Sequence, residues 1–218
     1  MLRVRDLAKS FGPQPVFQGV ALDVAAGEVV ALLGESGVGK STLLNCIAGL
    51  ERADAGTMEV AGVAVHTLDD DACARLRRQQ LGFVFQAFHV LPHLDVAENI
   101  GLPLMLLGRP DPARVDGLLR TVGLQGLGRR MPAQLSGGQL QRVAIARAVV
   151  HSPALILADE PTGNLDPAIG QSVLELLVEQ VRSTGAACVL VTHSAAAAGR
   201  ADRQLRLTRS GVHDVTMV

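Results

Sequence analysis

Short apolar runs, each bounded by polar or glycine-rich residues, are the main feature of the hydrophobic pattern along the chain. Residues 28–33, 154–158 and 187–191 have the length of strands and are almost entirely aliphatic, which is typical of strands buried on both faces of a parallel sheet. The composition agrees, because 48% of the residues are hydrophobic although the chain has no Trp and no Tyr. The pattern therefore predicts an α/β fold in which helices cover a parallel sheet.

Alternation, turn residues and helix caps predict the remaining elements. Further strands are expected at residues 2–5, 16–24, 56–65 (a hairpin), 82–85 and, as two short strands, from residue 203 onward. Helices are expected at residues 41–48, 69–80, 95–107, 113–122, 136–150 and 166–181. Asp95 with Glu98 has the spacing of a capping box, and Asp166 followed by Pro167 is a natural helix start.

Charge and composition narrow the classes of function. The formal net charge is −1 and the pI is near 6.6, so electrostatics give no argument for nucleic acid as a partner. No apolar run reaches the roughly 20 residues that span a bilayer, and the first residues lack the apolar segment of a secretion signal. We therefore expect a cytoplasmic protein. The three cysteines are scattered, which predicts neither a disulfide framework nor a metal site.

The strongest chemical signal is the stretch GESGVGKST at residues 34–42, which fits the phosphate-loop pattern. A predicted strand precedes it and a predicted helix follows it. Backbone N–H groups in such a loop point at an anion, and the helix dipole favours negative charge. In this interpretation Lys40 contacts the β- and γ-phosphates and the Ser41 hydroxyl binds Mg²⁺. The alternative is a glycine-rich turn that matches by chance.

A second helix start with paired glycines occurs in LSGGQ at residues 135–139. Ser136 and Gln139 have capping-box spacing, so a well-capped amphipathic helix is one interpretation. The other is a second anion site at a helix N-terminus, formed with Gly137 and Gly138. The residues alone leave both open.

Two adjacent carboxylates, Asp159 and Glu160, follow the apolar strand at 154–158. Carboxylates at the end of a buried strand are costly unless they have partners or a function, and ligands of open α/β sheets lie at these strand ends. Asp159 is therefore expected to help hold Mg²⁺, and Glu160 to orient and polarise the attacking water. His193, at the end of the strand 187–191, is either a γ-phosphate contact or an ordinary polar group at a strand end.

Two other features have competing interpretations. Phe11, just before a Gly-Pro turn, either packs in the core or stacks on a flat ring such as adenine; its local sequence favours the core. His89 and His93 stand four residues apart, as metal ligands on a helix do. Because Pro92 lies between them, ordinary loop histidines are the favoured interpretation.

Together these motifs resemble the nucleotide-binding subunit of an ATP-binding-cassette (ABC) transporter. The resemblance covers essentially the whole chain and rests on GESGVGKST, Gln86 after FVF, LSGGQ, LILADE at residues 155–160, Asp166 in GNLD, and His193. It implies a single ABC ATPase domain over residues 1–218, a P-loop NTPase with a RecA-like core. The core and an antiparallel β-subdomain would occupy about residues 1–86 and 151–218, and an α-helical subdomain about residues 87–150.

The resemblance also implies the ligands and the roles of the motif residues. ATP and Mg²⁺ are the expected ligands. Two copies are expected to clamp two ATP molecules head to tail, so that LSGGQ of one copy faces the phosphate loop of the other. Gln86, Glu160 and His193 are the implied catalytic residues, and Ser41, Gln86 and Asp159 the implied metal ligands. The implied nucleotide-binding residues are Phe11, Gly34, Glu35, Ser36, Gly37, Val38, Gly39, Lys40, Ser41, Thr42, Ser136, Gly137, Gly138, Gln139 and Asp166.

Within the family, LADEPTGNLD and the cassette-only length look most like the lipoprotein-releasing, macrolide-exporter and cell-division-associated group. Members of that group work by mechanotransmission through a membrane permease. This implies a location on the cytoplasmic face of the inner membrane. A permease is expected to dock near the apolar stretch from Phe88 to Leu94; the alternative is that these residues belong to the core of the helical subdomain.

Three departures from the family pattern are visible: Phe11 where Tyr is common, Leu140 after the signature, and Ser194 after His193. None removes a group that hydrolysis requires. The alternative function, a soluble ABC ATPase acting on ribosomes or DNA, is less favoured. Such proteins usually carry two cassettes or a long coiled-coil insertion.

Overall fold

A computed structural model describes residues 1–215 and contains two sheets with helices packed around them. The strands are β1 Leu2–Phe11, β2 Gln14–Val24, β3 Val29–Leu33, β4 Ala55–Val60, β5 Val63–Ala64, β6 Leu81–Phe85, β7 Leu155–Asp159, β8 Ala187–Val191, β9 Arg203–Thr208 and β10 Gly211–Asp214. The helices are α1 Lys40–Ile47, α2 Asp70–Gln80, α3 Val96–Leu106, α4 Pro112–Thr121, α5 Gly137–Val149, α6 Pro167–Thr184 and α7 Ala195–Ala198.

The larger sheet has six strands in the order β10-β9-β3-β8-β7-β6. All of its pairings are parallel except that of β10 with β9. Alternate residues of the central strands belong to different core clusters: Val189 packs with α1 on one face, whereas Leu190 packs with α5 and α6 on the other. The predicted parallel sheet, buried on both faces, is confirmed.

The smaller sheet has four strands in the order β2-β1-β4-β5, and all of its pairings are antiparallel. It contains the predicted hairpin around Gly62, formed by β4 and β5. The first strand is longer than the predicted residues 2–5, because it continues to Phe11 through an irregularity at Asp6, whose φ is +49°.

All six predicted helices are present, with differences near their ends. Asp95 and Glu98 form the predicted capping box, and Asp166 caps α6. The short helix α7 was not predicted, and α6 continues beyond residue 181 to Thr184. The segment 87–150 contains α3, α4 and α5. In residues 1–215, no helix is both long enough and apolar enough to cross a bilayer.

The register of the parallel strands brings the motifs together. Phe85 pairs with Asp159, Asp159 with Val191, and Val191 with Leu32. The carboxyl ends of β6, β7, β8 and β3 therefore lie side by side at one edge of the sheet. The residues that follow these strands meet at that edge, which is where ligands of open α/β sheets bind.

Candidate active site

The predicted phosphate loop lies between β3 and α1. Gly39, the residue before α1, has a φ of +103°, and a Cβ there would lie 2.4 Å from Cγ1 of Val16; this position therefore needs glycine. No side chain in residues 1–215 caps the N-terminus of α1, and its first turn has no acidic residue. The first N–H groups of α1 are available to an anion, which the helix dipole also favours.

Lys40, the first residue of α1, reaches back over this loop. Its Nζ donates hydrogen bonds to the carbonyl oxygens of Gly34 (3.0 Å) and Glu35 (2.9 Å), and lies 3.3 Å from Nε2 of His193. Burial lowers the pKa of Lys40, and the two neighbouring carboxylates oppose that shift. The ammonium is thereby fixed at the loop, within reach of phosphate oxygens bound there.

Glu160 follows β7 and is held in an unusual way. Its φ is +46°, a left-handed conformation that non-glycine residues seldom adopt, and its N–H donates to the carbonyl of Val191 at 3.0 Å. Its Oε2 accepts a hydrogen bond from the backbone N–H of His193 at 3.3 Å. Backbone strain of this kind is found most often at functional sites.

The other carboxylate oxygen, Oε1 of Glu160, is buried. It lies 3.2 Å from Nε2 of His193, yet it has no hydrogen bond of acceptable geometry within residues 1–215. Burial raises the pKa of Glu160, whereas His193 and Lys40 act in the opposite direction. An acceptor that is buried without a donor is costly, so it is well suited to hold a water molecule.

Gln86, directly after β6, is fixed by a residue that the sequence did not suggest. Its Nε2 donates to Oδ1 of Asn164 at 3.1 Å, and Nδ2 of Asn164 donates to the Gln86 carbonyl at 3.1 Å. Gly163 packs against this pair, because a Cβ there would lie 2.8 Å from Nε2 of Gln86 and would displace its amide. Asn164 thus joins the strand end of β6 to the segment before α6.

These groups surround one cleft of about 440 Å³. Phe11 is 52% exposed at its rim, so the core position that its local sequence favoured is wrong. Val16 also lines the cleft and was not singled out in the sequence. The full lining is Phe11, Val16, Ser36, Gly37, Gly39, Lys40, Ser41, Thr42, Gln86, Asp159, Glu160, Val191 and His193.

Three phosphate-loop residues lie outside that lining. Gly34 begins the loop, and its carbonyl accepts a hydrogen bond from Lys40. Glu35 and Val38 line an adjoining cavity of about 380 Å³, together with Arg206 and Arg209. The phosphate loop therefore separates the cleft from a second, more peripheral depression.

The signature residues also lie outside the cleft. The predicted capping box is present: the N–H of Gln139 donates to Ser136 Oγ (3.4 Å), and the N–H of Ser136 donates to Gln139 Oε1 (2.9 Å). Gly138 packs tightly on α6, since a Cβ there would lie 2.6 Å from Cγ2 of Ile169. Ser136 and Asp166 are both exposed. The N-terminus of α5 is thus exposed and does not line the cleft of its own chain.

The residues of the cleft fit a nucleoside triphosphate bound with Mg²⁺. The N-terminus of α1 and Lys40 suit the phosphates, and the buried Oε1 of Glu160 suits a water molecule. Ser41, Gln86 and Asp159 offer hard oxygen ligands, and Mg²⁺ is usually held by one or two carboxylates plus substrate phosphates. Residues 1–215 contain no group of three or more His, Cys, Asp and Glu side chains suited to a metal. His89 and His93 lie in the irregular segment before α3 and not on a helix.

The chain is similar to ABC transporter proteins. The family model described as "ABC transporter" matches residues 17–163, more than half of the chain. The lipoprotein-releasing system ATP-binding protein LolD of Maricaulis maris is 47% identical over 197 residues, which is 89% of this chain and 86% of LolD. The macrolide export ATP-binding/permease protein MacB of Shigella flexneri is 43% identical over 214 residues, 95% of this chain but only 33% of MacB.

Two solved structures match over 100% of both chains at 34% identity, with a TM-score of 0.87. One is a dimer of the ATP-binding cassette MJ0796 in a post-hydrolysis state, bound to ADP and Pi. The other is a dimer of MJ0796 described as a bacterial ABC transporter cassette.

Proposed function

The chain belongs to the ABC transporter family, and from this premise we propose that it is one half of an ATP-driven clamp that moves a membrane permease. It is an ATP-binding subunit and an ATPase. In the proposal, two copies bind head to tail around two ATP molecules. One observation carries this: phosphate loop, Gln86, Asp159, Glu160 and His193 share a cleft, whereas the signature segment at Ser136 lies outside it.

The N-terminus of α5 is the part that needs a second copy. It presents Ser136 on the surface and has no acidic residue in its first turn. Such a terminus attracts an anion, and the γ-phosphate bound by a partner copy is the anion that we assign to it. Asp166 is exposed at the N-terminus of the adjacent helix α6, where it would contact the partner copy. Each cleft is then completed by the other chain.

Within the cleft, the side chains divide the hydrolysis step between them. Glu160 would orient the attacking water through its buried Oε1, and Lys40 would neutralise charge on the β- and γ-phosphates. His193, whose Nε2 lies between Lys40 and Glu160, would contact the γ-phosphate. Mg²⁺, held by Ser41, Asp159 and Gln86, would stabilise the negative charge of the leaving ADP.

An apolar groove of about 450 Å³ is the proposed docking site for the permease. It runs between β6, α2 and α3, and its exposed residues include Leu50, Leu91 and Leu106. Of the four large apolar residues in the segment 87–94, Leu91 is exposed, whereas Phe88, Val90 and Leu94 are half-buried and Val90 packs against a core cluster. The docking surface proposed here is therefore the groove, to whose lining the segment 87–94 contributes Leu91.

The buried Asn99 and the half-buried Arg147 hold the segment 87–94 in place. Asn99 is fully buried. Its Oδ1 accepts a hydrogen bond from the N–H of Leu91 at 2.8 Å, and its Nδ2 donates one to the carbonyl of Leu91 at 3.1 Å. Arg147 of α5 donates to the carbonyls of Phe88 (3.2 Å) and His89 (2.7 Å), both in left-handed conformations. A force on the groove would thus reach α5, whose N-terminus carries the signature, and Gln86, which lies in the cleft.

The proposed class of permease is based on the names of two relatives. The names of LolD and MacB refer to lipoprotein release and macrolide export, and we propose a permease of this mechanotransmission group as the partner. The chain spans about a third of the length of the MacB relatives that it matches. We also propose that residues 87–150 form a helical subdomain that tilts against the remainder of the chain when the dimer closes.

Glu160→Gln tests the clamp and the partner together. The amide keeps the shape of the side chain but cannot polarise water as a carboxylate does, so hydrolysis should fall by about a thousandfold while ATP binding persists. The variant is expected to elute as a dimer with ATP and Mg²⁺ in size-exclusion chromatography with light scattering. Purified from detergent-solubilised cells, it should carry an integral membrane protein that mass spectrometry identifies.

Two matched variants sharpen the result. Glu175→Gln removes an exposed carboxylate that pairs with Arg200 at 2.6 Å, and it should leave hydrolysis unchanged. Adding Leu91→Glu to Glu160→Gln should keep the ATP-dependent dimer and lose the membrane protein. Hydrolysis at the parental rate would show that Glu160 has another role. Recovery of ribosomal proteins or nucleic acid in place of a membrane protein would favour the soluble class of ABC ATPases.

A further inference from the structure

Lys9 is a buried cation outside the cleft that none of the preceding chemistry uses. It lies on β1, two residues before Phe11, and is only 7% exposed. Its Nζ lies 4.9 Å from the centroid of the Phe11 ring, within the range of a cation–π contact. Phe11 lines the nucleotide cleft and Lys9 does not. The ammonium therefore covers the ring from outside the cleft and leaves the other ring face free.

Oxygen acceptors from one loop fix the ammonium in this position. Lys9 Nζ donates to Oε1 of Glu51 at 2.7 Å and to the carbonyl of Arg52 at 2.8 Å, and it lies 3.8 Å from Oδ1 of Asp54. The hydrogen bond to Glu51 raises the pKa of Lys9, so the charge persists at neutral pH. A buried lysine with three such neighbours has little freedom to move away from the ring.

The same loop ties the end of β1 to the phosphate-binding helix. It directly follows α1, and Asp54 binds β1 twice: its Oδ2 accepts the N–H of Ser10 (2.6 Å), and its own N–H donates to the carbonyl of Ala8 (2.9 Å). Phe11 belongs to the four-stranded sheet, whereas the phosphate loop extends from the six-stranded one. The loop is thus a direct link between two parts of the cleft built on different sheets.

We propose that Lys9 is a positioning residue for the nucleotide base: it holds the Phe11 ring so that adenine stacks on the free face at a fixed distance from the phosphate loop. The inference rests on the proposed function, because it needs ATP in this cleft. A half-exposed ring at a strand end would otherwise sample several orientations, and ordering it on binding costs entropy. If the ring is already ordered before the nucleotide binds, that entropy is not lost on binding. The affinity for the base then rises, whereas the affinity for the phosphates does not change.

Lys9→Met tests this, because it removes the charge and keeps an unbranched side chain. Binding of a non-hydrolysable ATP analogue and of inorganic tripolyphosphate is measured by calorimetry on the full chain. The analogue should bind about three- to tenfold more weakly, the scale of one partly desolvated cation–π contact, and tripolyphosphate should bind unchanged. Arg5→Met is the matched control. It removes another β1 cation, paired with Asp23 at 2.8 Å, and should change neither affinity.

Phe11→Ala completes a double-mutant cycle. Phe11→Ala should weaken binding of the ATP analogue. Adding Lys9→Met to Phe11→Ala should have no further effect on that binding, because the ring that Lys9 holds is gone. A loss that persists with Phe11→Ala, or that affects tripolyphosphate equally, would overturn the inference and assign Lys9 to the fold. An analogue affinity unchanged by Lys9→Met would overturn it too. If Phe11→Ala does not change the affinity for the analogue, the base does not stack on Phe11. If neither the parent protein nor any variant binds the analogue, the proposed function is wrong.

A second measurement uses the absence of Trp and Tyr from the sequence. Phe11→Trp introduces a single indole, whose fluorescence anisotropy reports the mobility of the ring before nucleotide is added. Adding Lys9→Met to Phe11→Trp should lower the anisotropy, whereas adding Arg5→Met should not. An indole that is equally immobile with and without the Lys9 charge would contradict the proposed hold.

Discussion

At the scale of single residues, Glu160 combines two energetically unfavourable features, a strained backbone and a largely buried carboxyl group. Its left-handed backbone conformation costs about 1–2 kcal/mol for a residue other than glycine, and its carboxyl group is largely buried with one unpartnered oxygen. The sequence indicated the residue, because two carboxylates after an apolar strand are unusual. It did not indicate the strained backbone, at which the Glu160 N–H donates to the carbonyl of Val191 on the neighbouring strand.

Glu160→Gln is therefore expected to stabilise the fold while it abolishes turnover. Burial raises the pKa of Glu160 in the folded state, so the folded protein holds this proton more tightly than the unfolded chain. Stability is then lost as the pH rises through the ordinary pKa of glutamate towards the raised value. Glutamine does not ionise, so the variant does not lose stability in this pH range through residue 160. Urea midpoints should be higher for the variant at neutral pH, and the difference should shrink as the pH falls to about 4.5.

The matched variant for this comparison is again Glu175→Gln, whose carboxylate is exposed and paired with Arg200. It should give no stabilisation at neutral pH, because that carboxylate is not desolvated. A Glu160→Gln midpoint equal to the parental one at neutral pH would mean that the interactions with His193 and Lys40 fully offset the burial of the charge.

Individual residues also show which parts of the site could be predicted from the sequence and which could not. Lys40, Ser41 and Glu160 were found because their motifs have fixed spacing relative to a strand or helix. Val16 and Asn164 had no such signal: each reaches the site or its support through tertiary contacts between distant segments. Phe11 was misjudged from its local sequence, because the turn at Gly12 leaves the ring at the rim of the cleft.

At the scale of elements, the sequence predicted most strands and helices but not their irregularities. In β1, the alternation of apolar and polar residues changes register between Arg5 and Ala8, so the strand seemed to end at residue 5. Gly56 on the neighbouring strand accommodates this irregularity, since a Cβ there would lie 2.5 Å from the carbonyl oxygen of Asp6. A pattern with a period of two cannot reveal a strand that contains a bulge.

The contact between β6 and α5 gives a prediction about packing. A Cβ at Gly82 would lie 2.3 Å from the backbone carbonyl oxygen of Ala148, and neither backbone can move without repacking the sheet. Gly82→Ala should therefore lower the free energy of unfolding by about 2 kcal/mol or more. Because β6 leads directly to Gln86, ATP hydrolysis should fall as well. Urea denaturation and ATPase assays measure the two effects.

Gly117→Ala is the control for that substitution. Gly117 lies inside α4, where the nearest atom to an added Cβ is 4.0 Å away. Alanine should stabilise this helix by about 0.5–1 kcal/mol without changing hydrolysis. If Gly82→Ala were as stable as the parent, the close approach of β6 to α5 would not be a constraint on the fold.

At the scale of the whole molecule, the sequence predicted the α/β class and the parallel sheet, but residue patterns alone could not give the order of the strands. That order decides the site, because it brings the ends of β3, β6, β7 and β8 together at one edge. The N-terminus of α5 does not line this cleft. The separation of the signature from the cleft is a property of the assembled chain, which neither motif reveals by itself.

This separation gives a test that only a clamp of two chains can satisfy. Lys40→Ala disables the phosphate loop, and Ser136→Phe blocks the exposed signature without touching the cleft. Each variant alone should lose hydrolysis by about a thousandfold, the scale of a group that positions charge, and Ser136→Phe should still bind ATP as a monomer. In a mixed dimer, both defects fall on the same composite site. The other site then combines an intact phosphate loop with an intact signature.

Mixing the two inactive variants should therefore restore part of the hydrolysis, measured as phosphate release at a protein concentration that favours dimers. Lys40→Ala mixed with Glu160→Gln is the matched control. Lys40 and Glu160 line the same cleft, so every site in that mixed dimer keeps one defect and no activity should return. Restoration in the first mixture alone places the signature across the dimer interface. No restoration in either mixture, with dimers present, would mean that each chain uses its own signature.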